Sequence, residues 1–176
     1  DTQLKNDAVS RLMKHFIADT EKRVGAVAGN VKVGNQRNML TYWQAIEYTS
    51  SQNFDRMAYS NINAITVVPG AIGAFRKEVI EEVGGFTTDT LAEDCDLTMS
   101  INEHGYIIEN ENYAVALTEA PETLRQFVKQ RIRWCFGVMQ AFWKHRSSLF
   151  APSKKGFGLW AMPNMLIFQY IIPTFS

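Results

Sequence analysis

Cysteine is scarce in this sequence: only Cys95 and Cys135 occur in 176 residues, and together they match no metal-ligand spacing. No Asn-x-Ser/Thr sequon is present either, and the two absences point to a chain facing a reducing compartment. Histidine is almost as rare. His15, His104 and His145 are scattered, and none belongs to an HExxH or similar array, which argues against a zinc enzyme. Charge of one sign is missing too: 18 basic and 18 acidic residues cancel, and no basic run occurs. A nucleic-acid partner is therefore not expected. There is no internal repeat and no low-complexity segment. No initiator Met or charged leader stands before Asp1, and Ser176 closes an apolar stretch, so the chain reads as a piece of a longer protein.

What is present is globular. An apolar fraction of 46% and a charged fraction of 20% exclude disorder, and the length is that of one domain able to bury a core. Leu4, Ala8, Leu12, Phe16 and Ile17 recur at helical spacing. Val24 to Val33 is a short apolar run that predicts a buried strand, and the spacing predicts a long helix from Asn38 to Asn61. Strands are expected at Ile65 to Val68 and Gly73 to Arg76 around a Pro69-Gly70 turn. Lys77 to Val83 predicts a helix stopped by Gly84-Gly85, and Ala92 to His104 a second one ending at Gly105. Two strands, Tyr106 to Ile108 and Tyr113 to Leu117, precede a long helix opened by Pro121 and running to His145. Helices alternating with apolar strands predict an α/β domain with a mixed sheet. Residues 156–176 are apolar and about as long as the roughly 20 residues a spanning helix needs, but Pro163, Asn164, Gln169 and Pro173 interrupt them. A core helix docked on the domain and an interfacial or membrane helix both fit that pattern.

Two segments carry candidate chemistry. Glu93, Asp94 and Asp96 crowd three carboxylates into one helical turn. Thr90 and Glu93 have capping-box spacing, and the macrodipole favours acids there, which accounts for Glu93 better than for Asp94. Asp94 suits a general base that takes a proton from a sugar hydroxyl. Asp96 points about 200° away from it around a helix. A hydrolase reading would need a distant second carboxylate such as Glu47 or Glu119, since neighbours in one turn do not flank a sugar.

In the second segment, Gln130, Arg133 and Trp134 stand at i, i+3 and i+4, on one helical face. Gln offers donor and acceptor to hydroxyls, Arg a bidentate clamp for a diphosphate, and Trp a flat wall for a sugar ring. Gly137 on the same face invites close approach of a neighbour. By spacing alone, a packing helix with an apolar stripe of Phe127, Trp134, Val138 and Ala141 fits at least as well.

Taken together, Gly84-Gly85-Phe86, Asp89-Thr90-Leu91-Ala92-Glu93-Asp94, Thr118-Glu119-Ala120-Pro121 and Gln130-Arg131-Ile132-Arg133-Trp134 resemble the processive branch of the family 2 glycosyltransferases. That branch includes bacterial poly-N-acetylglucosamine, hyaluronan and cellulose synthases. The resemblance implies the C-terminal, acceptor-side portion of a GT-A-like domain over residues 1–150, followed by an apolar interfacial or spanning segment over 151–176. It implies a UDP-sugar donor, a polysaccharide or other glycan acceptor, and a divalent cation, Mg2+ or Mn2+. Asp94 matches the family's catalytic base, and Glu93 precedes it in the substrate-binding motif. Gln130, Arg133 and Trp134 match the motif that binds the acceptor end and the diphosphate. Asp1 matches the second Asp of the family's Asp-x-Asp metal motif, and Gly70 lies in a turn resembling the loop that lines the acceptor channel. The expected activity is inverting sugar transfer onto a growing polysaccharide at a bacterial inner membrane, with the catalytic domain facing the cytoplasm. Single-sugar transfer to a lipid or protein, and a non-catalytic domain keeping the fold, are the alternatives. The family's uridine-binding strands, first metal-motif Asp and most membrane helices have no counterpart here, so the isolated chain is expected to be inactive.

Overall fold

The computed structural model describes residues 1–50, 55–154 and 156–171. Its elements are β1 (Thr2–Leu4), α1 (Ala8–Ala18), β2 (Val24–Val33), α2 (Met39–Glu47), α3 (Asp55–Ser60), β3 (Gly73–Phe75), α4 (Lys77–Glu82), α5 (Glu93–Glu103), β4 (Ile107–Thr118) and α6 (Leu124–Lys144). Short helical turns, α7 (Met162–Met165) among them, follow to Ile171. The strands form one sheet in the order β1-β4-β2-β3. Its central pair β2–β4 is parallel and its outer pairs are antiparallel, so the sheet is mixed as expected.

The apolar run of β2 is explained by cover on both faces. Ala8 and Leu12 of α1 pack on Val24, Val27 and Val31, with Ala114 and Ala116 of β4 beside them. On the other side Leu97 and Ile101 of α5 pack on Ala26, Ala28 and Ile108, together with Ile65 and Val68. A polar contact fastens α1 to β4: the two ring nitrogens of His15 face the carboxylates of Glu109 and Glu111. Burial opposes charge on that ring, but the bonds to the two glutamates outweigh it and raise the pKa above the usual histidine value.

Several expectations need correction. Leu4 lies in β1, and the first helix begins only at Ala8. Ile65 to Val68 is no strand, because its backbone is satisfied by α5 side chains: Val68 N donates to Thr98 Oγ1 at 2.9 Å, and Asn102 Nδ2 donates to Ile65 O at 2.9 Å. The two strands around residues 106–117 are one, β4, whose polar middle conceals the continuity and whose register with β2 shifts between Gly29 and Asn30. The helix expected over 38–61 is seen over residues 39–50 and again in α3, with residues 51–54 between them outside the described residues. The Thr90/Glu93 capping box does not form; Ala92 occupies the N-cap and makes no side-chain cap. Thr123, not Pro121, caps α6, accepting from Gln126 N at 3.4 Å. Gly84 and Gly85 do end α4, at φ +92° and +78°, backbone conformations that L side chains resist.

The apolar tail docks on the domain. Phe157, Ala161, Met162 and Met165 are buried with Ala64, Cys95, Met99 and Ala141. Among the described residues no helix is long and apolar enough to cross a membrane; Ile172 and Pro173 lie outside them.

Candidate active site

Glu93, Asp94 and Asp96 open α5, where the helix dipole favours carboxylates. Their surroundings then divide them. Glu93 is exposed. Asp94 is half-buried, and its Oδ2 accepts from Gly70 N at 3.3 Å while Oδ1 accepts from Cys95 N at 2.8 Å. Two residues singled out from sequence, Gly70 and Asp94, are thus in direct contact. A third group lies nearby: Arg56, buried, donates through Nη1 to Gly29 O at 3.0 Å. Burial lowers its pKa to about 10 and the charge of Asp94 opposes that shift, so Arg56 stays cationic at neutral pH. Asp96 faces the other way, into the interior, as helical geometry requires.

The second wall is α6. Gly137 sits against the entry to α5, where an added Cβ would lie 2.6 Å from both Ala92 Cβ and Ala92 N. Three residues on, Gln140 Oε1 accepts from Leu91 N at 3.0 Å. The close approach anticipated at Gly137 therefore exists, and its neighbour is the loop that delivers Asp94. Upstream on α6, Gln130 is half-buried with its Oε1 sealed from solvent and unpartnered. Trp134 is half-buried, tilted against Tyr48 with ring centroids 6.4 Å apart, and packs on the cluster of Val33, Tyr48 and Ala120. Arg133 is exposed at the rim.

Asp1 stands at the exposed start of β1. Its carbonyl accepts from Glu119 N at 3.2 Å, so two acidic residues adjoin at the strand ends, one step from Ala120 and the Trp134 cluster. Among the described residues no group of three His, Cys, Asp or Glu could hold a metal ion. The residues present do not by themselves fit a divalent-cation site. Two surface clefts lie elsewhere, one beside Lys5, Asn30 and Lys32 and one beside His15 and Asp19, and neither touches Asp94 or Gln130.

Sequence reasoning missed the residue that braces this wall. Arg131 forms a bidentate pair with Glu47 of α2, at 2.6 Å on each arm, and stacks between Phe127 (4.8 Å) and Trp134 (4.9 Å). It occupies a variable position of the motif, and its partner is remote in the chain, so no local signal pairs them. Arg56 was equally hidden.

Comparison with known proteins bears on the family and the fold. The family model for glycosyl transferase family group 2 matches residues 1–176. Poly-beta-1,6-N-acetyl-D-glucosamine synthase of Staphylococcus aureus is 31% identical over 137 residues, covering 78% of this chain and 33% of that protein. The synthase of the same name from Staphylococcus epidermidis is 30% identical over 147 residues, covering 81% and 35%. The chain thus spans about a third of the length of the curated relatives it matches. Among solved structures, a mannosyltransferase from Pyrobaculum calidifontis in complex with GDP-Man and Mn2+ aligns over 81% of this chain and 36% of its own, with a TM-score of 0.58 and 24% identity. That likeness shows a shared fold.

Proposed function

The chain belongs to glycosyl transferase family group 2, and from that premise we propose that it forms the acceptor side of an inverting glycosyltransferase that extends a polysaccharide from a UDP-sugar. The observation that carries this reading is the Asp94 carboxylate, held by the Gly70 amide at the mouth of α5 and closed in by α6 at Gly137. Asp94 takes the proton of the acceptor hydroxyl as that oxygen attacks the anomeric carbon, and the bond from that carbon to the nucleoside diphosphate breaks. Trp134 offers a face to the acceptor sugar, with Gln130 one turn before it on the same face of α6. Arg133, exposed at the rim, clamps the diphosphate, and Glu93 borders the same opening. The relatives' name supports an N-acetylglucosamine donor and a polymeric product. A divalent cation is expected by resemblance, and Asp1 would offer it one carboxylate; no step here is routed through it.

The test is product analysis. The full-length protein that carries this chain is supplied with one UDP-sugar at a time. A polymer from UDP-N-acetylglucosamine alone is the expected result. A single sugar on a lipid or protein would replace this reading with the non-processive one.

A membrane surface is part of the proposal, at the bacterial inner membrane with the site on the cytoplasmic side, but its contact is assigned to α6. Leu124, Val128, Ile132, Phe136, Met139 and Trp143 are all exposed and fall within an arc of about 120° around the helix. Lys129 edges that arc and Arg125 falls within it, an arrangement suited to an interfacial helix on anionic lipid. Cys135 is exposed on the same arc and Cys95 is buried, so one thiol of the chain is labelled selectively. With cysteines outside this chain replaced, a fluorophore on Cys135 of the membrane-bound protein should be quenched by lipid-borne quenchers and shielded from aqueous iodide. Equal quenching by iodide in membranes and in detergent-free buffer would remove α6 from the interface.

A further inference from the structure

The most buried charged group on α5 takes no part in the chemistry above. Asp96 is 1% exposed. Its Oδ2 accepts from Thr87 Oγ1 at 2.6 Å and from Lys144 Nζ at 2.9 Å, and its Oδ1 accepts from His145 Nε2 at 2.9 Å. On the other edge of the ring, His145 Nδ1 donates to Glu103 Oε2 at 2.7 Å, and Ser148 Oγ donates to Glu103 Oε1 at 2.5 Å. Ionised carboxylates only accept, so both ring nitrogens carry hydrogen and His145 is an imidazolium. Asp96 and Glu103 stand two turns apart on α5, and Lys144 and His145 end α6. One cation therefore staples the length of α5 to the end of α6. Buried ion networks are often no more stabilising than apolar packing, so what this one gives is a defined geometry.

We infer that the Asp96–His145 pair is a positioning clamp: it sets the angle between α5 and α6 and so holds Asp94, two residues from Asp96, opposite the Gln130–Trp134 face. This rests on the reading of Asp94 as the base. The charged groups around the ring are of both signs, and the carboxylates are the ones in contact with it. Asp96 and Glu103 bracket the ring, Lys144 and Asp89 complete the Asp96 side, and Lys154 donates to the Glu103 carbonyl. Burial opposes the charge of His145, but the hydrogen bonds to Glu103 and Asp96 outweigh it and raise its pKa. Misplacement of a catalytic group by about 1 Å costs on the order of a hundredfold in rate.

The experiment compares Asp96→Asn, His145→Gln and Asp94→Asn in the full-length protein, with kcat and donor KM followed across pH and folding checked by circular dichroism. The clamp predicts that Asp96→Asn and His145→Gln lower kcat by roughly ten- to a hundredfold while donor KM moves by less than about twofold. Because the raised pKa belongs to the folded state, the imidazolium is lost as pH rises, so wild-type kcat should fall on the alkaline side and His145→Gln should lack that limb. Gln keeps a donor without titrating, so it separates the charge from mere packing. If Asp94→Asn abolishes turnover while folded His145→Gln keeps both wild-type kcat and the alkaline limb, the clamp alone is overturned. If Asp94→Asn keeps full turnover, the base assignment fails and takes the clamp with it.

Discussion

Asp94→Asn in the full-length protein should lower kcat by about a thousandfold, within the range general-base groups contribute, while donor affinity stays near wild type. Asn is nearly isosteric with Asp, and its amide oxygen can still accept from Gly70 N, so the Pro69-Gly70 turn and the start of α5 keep their places. Three things are lost: the basic oxygen pair that takes the acceptor proton, the negative charge facing the buried Arg56, and the acceptor of Cys95 N, which an amide NH2 cannot replace. The second loss is structural and modest. Arg56 remains anchored on Gly29 O, and one carboxylate fewer at the α5 N-terminus costs about 0.3–1 kcal/mol. A thousandfold loss in kcat corresponds to about 4 kcal/mol at the transition state, well beyond that structural term. Steady-state kinetics with the donor varied, alongside equilibrium donor binding, separates the two effects. Turnover within tenfold of wild type would dismiss Asp94 as the base.

The elements that the sequence disclosed are those whose physics is local. β2 was legible because burial on both faces demands an unbroken apolar run, and α4 because two glycines at positive φ stop it. The Gln130–Trp134 helix was legible as a helix but not as a wall. Spacing placed Gln130, Arg133 and Trp134 on one face, yet only Gln130 and Trp134 turn toward the interior while Arg133 reaches solvent. Tyr48 and Ala120, which face Trp134, are remote in the chain. The Ile65 to Val68 segment misled for a related reason. Its composition is that of a strand, but the side chains of Thr98 and Asn102 satisfy its backbone, and no local pattern announces a partner of that kind. Asp96 shows the same limit in a charged residue. Periodicity turned it away from Asp94, but only the fold brings His145 and Lys144 to meet it.

The second large effect is expected where α5 and α6 touch. A Gly→Ala change inside a helix ordinarily gains about 1 kcal/mol. At Gly137 the sign should reverse. An added Cβ would lie 2.6 Å from Ala92 Cβ and N and 2.7 Å from the Leu91 carbonyl carbon, and two of those three atoms are backbone that cannot rotate aside. The helix must back away, which puts Gly137→Ala at a net loss of about 2 kcal/mol and Gly137→Val beyond about 3 kcal/mol, in the upper range for overpacking. Backing away also stretches the Gln140–Leu91 bond and shifts Gln130 and Trp134 with the rest of α6. Turnover at a temperature where the variant is fully folded should therefore fall by about a hundredfold, more than the stability change alone accounts for. Adding Ala92→Gly relieves the Cβ contact but neither backbone contact, so the double variant should recover only part of both losses. Thermal unfolding and kcat of the full-length protein read the two effects separately. A Gly137→Ala protein as stable and as active as wild type would mean that α6 does not hold this position against α5.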